Sequence, residues 1–153
     1  MAVDAVLPDI HVLSIDSVEE LASRLPREKK YFALLLAWDA PEIGRDSLAE
    51  LFAPLVSCGL AYFCAWGSRC EEVHDAVDVC FVVQEMENGE ADPFLMTTWH
   101  RDESLEEALW FFKMLAVPAE SSVLADLERF AVAVGNPQWA SDMAANLSKT
   151  DLH

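Results

Sequence analysis

Basic residues are scarce in this sequence: 10 lysines and arginines stand against 27 aspartates and glutamates, a formal charge of −17 over 153 residues. A surface of that sign repels phosphate backbones and anionic headgroups, which argues against nucleic acid and membrane as partners. It attracts a basic protein instead, and steers its approach. Glycine is scarce too. The five glycines are dispersed, so no phosphate-binding loop of the G-x-G-x-x-G or P-loop kind can be drawn. The four cysteines, at 58, 64, 70 and 80, lack the C-x2-C knuckles of a structural zinc site, and two sit inside apolar runs as small buried hydrophobes do. No apolar stretch approaches membrane-spanning length, and "MAVDAVLPDI" has neither the basic nor the apolar region of a signal peptide. The expectation is a reduced, cytoplasmic, soluble protein without metal or cofactor.

Hydrophobic residues make up 53% of the chain and charged residues 24%, enough for one filled core in a chain of single-domain length. Five apolar runs have strand length: "HVLSI" at 11–15, "YFALLLAW" at 31–38, "LAYFCAW" at 60–66, "VCFVVQEM" at 79–86 and "PFLMTTW" at 93–99. Their near-continuous apolarity suits strands covered on both faces. Ser17 with Glu20, Ser47 with Glu50, Ser68 with Glu71 and Ser104 with Glu107 each fit the S-x-x-E capping box, marking four helix starts. Strand and helix alternate through residue 86, which reads as α/β.

The link "ENGEAD" is too short for a parallel crossover and contains the turn dipeptide Asn88-Gly89, so the fifth run is expected to return antiparallel to the fourth. On that reading Trp38 and Trp66 close one end of the sheet and Trp99 the other. "SLEEALWFFKMLA" is helical with two apolar faces, the second carrying Trp110, Phe111 and Met114. "SSVLADLERFAVAVG" reads as a further helix capped by Gly135, and Asn136-Pro137 opens a last one bearing Trp139, Met143 and Leu147. The fold expected over residues 1–153 is a single three-layer α/β domain. Its mixed, mostly parallel, Rossmann-like sheet of four or five strands fills a core over residues 8–118, has an antiparallel edge hairpin, and is followed by a C-terminal helical pair over 121–148.

Two segments carry residues able to do chemistry. In "WGSRCEEVHD", Ser68 as N-cap would put Cys70 and His74 four apart near a helix start, where a thiol can be activated by the helix terminus and a neighbouring base. The bland alternative is a capped turn with His74 bonded to a carboxylate such as Asp78. In "TTWHRDES", His100 and Glu103 could be a base and its orienter, and a solvated loop explains them equally. The carboxyl ends of parallel strands are the default binding crevice, and there the chain presents Trp38, Asp39, Trp66, Gly67, Ser68 and Arg69. Carboxylates at 71, 72, 75 and 78 make that set better suited to a cationic or amide-bearing group than to an anion. A tryptophan at a strand end more often closes a core, and an exposed one anchors a partner.

The segments "CAWGSRCEEVHDAVD" and "MTTWHRDESLEEALWFF" together resemble a small bacterial α/β domain family of unknown function, over about residues 31–118. The resemblance implies a bacterial source and directs attention to Trp66, Gly67, Cys70, His74, Trp99 and His100. It implies no activity. The favoured expectation is a non-enzymatic module, immunity-type or regulatory, that binds a basic protein through an acidic surface with exposed aromatics. Two others stand beside it: a small-molecule site or hydrolase at the strand ends, using Cys70 and His74 or His100 and Glu103, and a structural homodimer joined through Trp110, Phe111 and Met114.

Overall fold

The computed structural model describes residues 10–25, 31–89, 94–118 and 127–149. The apolar runs at the front of the chain become β1 (Ile10–Ile15), β2 (Phe32–Ala37) and β3 (Leu60–Trp66), followed later by β4 (Met96–Trp99) and β5 (Glu128–Val134). All five are parallel, in the order β1-β5-β2-β3-β4. A 3-10 turn (Val18–Glu20) and α1 (Leu21–Arg24) follow β1. α2 (Arg45–Ser57) follows β2, α3 (Cys70–Asn88) follows β3, α4 (Leu105–Met114) follows β4, and α5 (Pro137–Lys149) follows β5.

Every residue of β2 is buried, because side chains alternate between two covered faces. Phe32, Leu34 and Leu36 pack with Phe52 of α2, Phe63 of β3, and Val73 and Val77 of α3. On the reverse face Ala33, Leu35, Ala131 and Ala133 meet Leu109 and Phe112 of α4 and Met143 of α5. The small side chains on that face let α4 and α5 approach closely. Each fully buried Leu or Phe contributes on the order of 2 kcal/mol by leaving water.

Three expectations about the fold are corrected. "VCFVVQEM" is not a strand but the second half of α3. No glycine or proline lies between Gly67 and Gly89 to interrupt the helix, and Val73, Val77 and Cys80 supply its buried stripe. The run looks continuous because a second apolar stripe on α3 faces solvent. Since α3 is itself the crossover, β4 pairs parallel with β3, and there is no antiparallel edge hairpin. Nor is there a C-terminal helical pair. Residues 128–134 form β5, which lies between β1 and β2, and its Phe130, Val132 and Val134 alternate with alanines as a doubly covered strand requires. The residues from 119 to 126 lie outside the described ones. Gly135, at φ +73°, ends that strand rather than a helix.

The path of the chain determines where a crevice opens. α2 and α3 lie on one face of the sheet, α4 and α5 on the other. The neighbours β3 and β4 therefore send their following helices to opposite faces, and their loops diverge at the carboxyl end of the sheet. Such a switch point is where open α/β sheets hold ligands.

Candidate functional site

The β3–α3 and β4–α4 loops part around an open crevice of about 770 Å³. The two sequence segments with chemical character, one after Trp66 and one after Trp99, are thus brought together at one end of the sheet. The expectation that Trp99 closes the opposite end is overturned by the parallel pairing of β4, which places Ala65 beside Trp99.

The β3–α3 loop is built on Gly67. Its φ is +120°, and a Cβ there would lie 2.1 Å from the Trp38 carbonyl oxygen. The close approach is to β2's own backbone, where the Trp38 N–H donates to the Trp66 carbonyl at 3.0 Å. Asp39 Oδ1 then accepts the Ser68 N–H at 2.9 Å, fastening the loop. Ser68 is consequently not the helix cap. Arg69 occupies that position in the left-handed region, φ 60°, at a cost of about 1–2 kcal/mol. Its guanidinium reaches Glu72 at 2.7 Å and Glu42 at 3.3 Å.

The β4–α4 loop is tied across the crevice. Trp66 Nε1 donates to the Glu103 carbonyl at 2.8 Å, and the His100 N–H donates to the Ala65 carbonyl at 2.9 Å. Ser104 and Glu107 form the expected reciprocal capping box, which sets the start of α4. Arg101 reaches over to Glu71 at 3.5 Å, both side chains being exposed.

Consecutive threonines of β4 each meet a buried histidine, on opposite faces of the sheet. On the α3 side His74 Nε2 lies 2.9 Å from Thr97 Oγ1 and Nδ1 lies 2.9 Å from Asp75. Thr97 donates to Asp78 at 2.6 Å, so His74 is the donor to Thr97. On the α4 side His100 Nε2 lies 2.9 Å from Thr98 Oγ1 and Nδ1 lies 3.0 Å from Glu103. Trp99 covers the first imidazole at 4.6 Å and Phe111 the second at 4.8 Å. Neither threonine is among the residues lining the crevice. These acid–histidine–hydroxyl chains tie β4 to α3 on one face and to the β4–α4 loop on the other, and both threonine hydroxyls are spent on them.

Cys70 lines the crevice floor but is 4% exposed. Burial pushes its thiol above the usual range, despite opposing hydrogen bonds from the His100, Cys70 and Glu71 backbones and the charge of Arg101. Both ring nitrogens of His74 are engaged by Asp75 and Thr97 rather than by Cys70. The helix-start logic that would activate this thiol is thus outweighed by desolvation.

Of the binding residues read from the sequence, Asp39, Trp66, Gly67, Ser68 and Arg69 line the crevice. Trp38 does not. It is buried edge-on to Phe52 at 6.4 Å and closes the core. Trp139 of α5 was not expected there, yet it meets Trp66 edge-to-face at 5.0 Å and forms part of the wall. Its position depends on β5 being a central strand, which the residues from 121 to 135 do not announce. In all, six carboxylates (Asp39, Glu71, Glu72, Asp75, Asp102 and Glu103) line the crevice against the guanidinium groups of Arg69 and Arg101. Among the described residues no three His, Cys, Asp or Glu side chains are grouped to hold a metal ion. No described helix is long and apolar enough to cross a membrane.

The family model for a domain of unknown function, DUF7684, matches residues 10–150. The chain belongs to that family. The match runs through β5 and α5, so Trp139 lies inside the DUF7684 domain, as do both loops of the crevice. No curated protein matches this DUF7684 chain.

Proposed function

We propose that this DUF7684 domain is a non-enzymatic binding module whose crevice receives a lysine or arginine side chain of a basic protein. The observation that carries the reading is the excess of carboxylates at the β3/β4 switch point, beside the Trp66–Trp139 corner. Arg101, exposed and held to Glu71 only at 3.5 Å, occupies the place a foreign cation would take. A partner's cation displaces it and exchanges one water-exposed ion pair for a better enclosed one. Long-range attraction by the −17 chain speeds encounter, and the crevice supplies specificity.

A second reading is favoured by one observation, the volume of the crevice, which falls within the range of small-molecule sites. A small cationic metabolite would use the same carboxylates. One experiment separates the two. Lysate of the source organism is passed over the wild-type domain and over a Glu71→Gln/Asp102→Asn variant, with protein eluates and extracted metabolites both analysed by mass spectrometry. Asparagine suits the left-handed backbone of Asp102, φ 62°, so the second substitution removes charge without strain. A basic protein retained by the wild type, lost from the variant and released by salt supports the protein-binding reading. An amine metabolite with the same pattern supports the second. Equal capture by bait and variant overturns both.

A further inference from the structure

β4 is the edge strand beside the crevice, and half of its backbone is left over. It pairs with β3 alone. Just past its end, the His100 N–H donates to the Ala65 carbonyl. The polar groups of successive strand residues point to opposite sides, so Met96, Thr98 and His100 direct theirs to β3, while Thr97 and Trp99 direct theirs away from the sheet. Among the described residues no backbone hydrogen bond takes up these two N–H and two C=O groups. Open edges are commonly blunted by charge, proline or a bulge. The segment "MTTW" carries no charge and no proline, pairs in unbroken register, and is limited instead by its length of four residues. The α3 side of this edge is acidic. Trp99, 42% exposed, leans on His74 at 4.6 Å. Asp75 and Asp78, which hold His74 and Thr97, keep their side chains 65% and 49% exposed. Asp75 also lines the crevice, and β4 runs directly into the loop from His100 to Glu103 that forms one of its walls.

We propose that the β4 edge takes an extended segment of the basic partner as an added strand, which leads one of its cations into the crevice. The proposal rests on the crevice reading and specifies the partner there: its recognised segment is extended and basic. Unpaired backbone donors and acceptors in a row are complementary to another strand, and the carboxylates beside them give that strand its charge. Side chains of an added strand that face α3 recur every ~6.7 Å. Asp75 and Asp78 lie ~4.5 Å apart along the axis of α3, so cations at alternate positions of the segment come within reach of both. A second copy suits the edge poorly. Pairing two β4 strands would set Asp75 and Asp78 of both copies around one seam, in a chain of formal charge −17. Two N–H and two C=O groups hold a strand weakly by themselves, so affinity requires the crevice as a second anchor.

Amide NMR of the full chain, titrated with a synthetic octapeptide of alternating lysine and threonine, tests this. The comparison probe is the same peptide N-methylated throughout, which keeps the charge and removes the donors. The expected result is a downfield shift and slowed hydrogen exchange at the Thr97 and Trp99 amides but not at those of Thr98 and His100, with the N-methylated peptide bound at least tenfold more weakly. Trp99→Pro deletes an outward donor and leaves the β3 ladder intact, as edge strands tolerate, and should lose a similar factor. Trp99→Ala keeps the donor and should lose less; far-UV circular dichroism checks that both fold. In Glu71→Gln/Asp102→Asn the edge signature should persist at reduced affinity, which separates loss of the crevice anchor from loss of the strand. Shifts confined to the crevice loops, at Ser68 and Asp102, with equal affinity for the two peptides, overturn the inference and leave the crevice reading standing. No response to either peptide at millimolar concentration overturns it as well. So does slowed exchange at Thr97 and Trp99 that grows with protein concentration in the absence of peptide, which would seat a second copy on the edge.

Discussion

Gly67 shows how far one atom can decide the geometry of this site. A methyl group there would overlap the Trp38 carbonyl at 2.1 Å, and the backbone, at φ +120°, is one that side chains rarely adopt. Gly67→Ala is therefore expected to destabilise the fold by about 3 kcal/mol or more, since neither β2 nor β3 can yield without breaking the sheet. A urea midpoint well below wild type, with unchanged slope, would bear this out; a wild-type midpoint would show that the loop relaxes freely. Cys64 offers a test of pH dependence. Burial raises its thiol from 9.0 to about 12. The unfolded chain releases that proton first as pH rises, so stability is full below about pH 9 and falls as pH climbs toward 12. Tyr62, Cys70 and Cys80 shift in the same direction by burial and add to the slope. Cys64→Ala should flatten it measurably, and unfolding curves collected across that alkaline range would reveal whether it does.

At the scale of elements, a sequence motif predicted structure only where its neighbours agreed. Ser104 and Glu107 close both hydrogen bonds of the capping box, as do Ser17 and Glu20. Ser47 sits inside α2, whose N-cap is Gly44, so its fit to the motif is coincidental. Ser104→Ala should cost about 1 kcal/mol and Ser47→Ala close to nothing, a contrast that paired denaturant titrations would measure. The doubly buried strands β2 and β3 were legible because their continuous apolar runs are of strand length and short for a helix. α3 was misread because its exposed stripe filled the gaps in its buried one. β5 was misread because Phe130 and Val134 also satisfy helical spacing, and only the strands on either side of it distinguish the two. That single misreading hid Trp139, while the strand assigned inside α3 split one site into two ends of the sheet. The residues of the crevice were visible; their adjacency depends on strand order, which no local pattern encodes.

For the whole molecule, charge sets the expected behaviour. The crevice gathers six carboxylates, whereas the run from Val79 to Gln84 on α3 carries no charge. Arg101→Ala should raise the affinity for a basic partner several-fold by removing the internal competitor for Glu71, whereas Glu71→Gln should lower it. Titration calorimetry with the captured partner would read both, and an Arg101→Ala variant with weakened binding would show that Arg101 itself contacts the partner.

The position of β5 has a consequence for synthesis. β5, which lies inside the sheet between β1 and β2, is the last of the described strands to be synthesised, so until then β1 and β2 lack the neighbour that joins them. Until residue 134 clears the exit tunnel, the nascent chain holds two unjoined pieces with bare apolar edges. Closure of the sheet therefore waits on β5, a contact remote in sequence from β1 and β2, and the finished sheet is sealed from within by it.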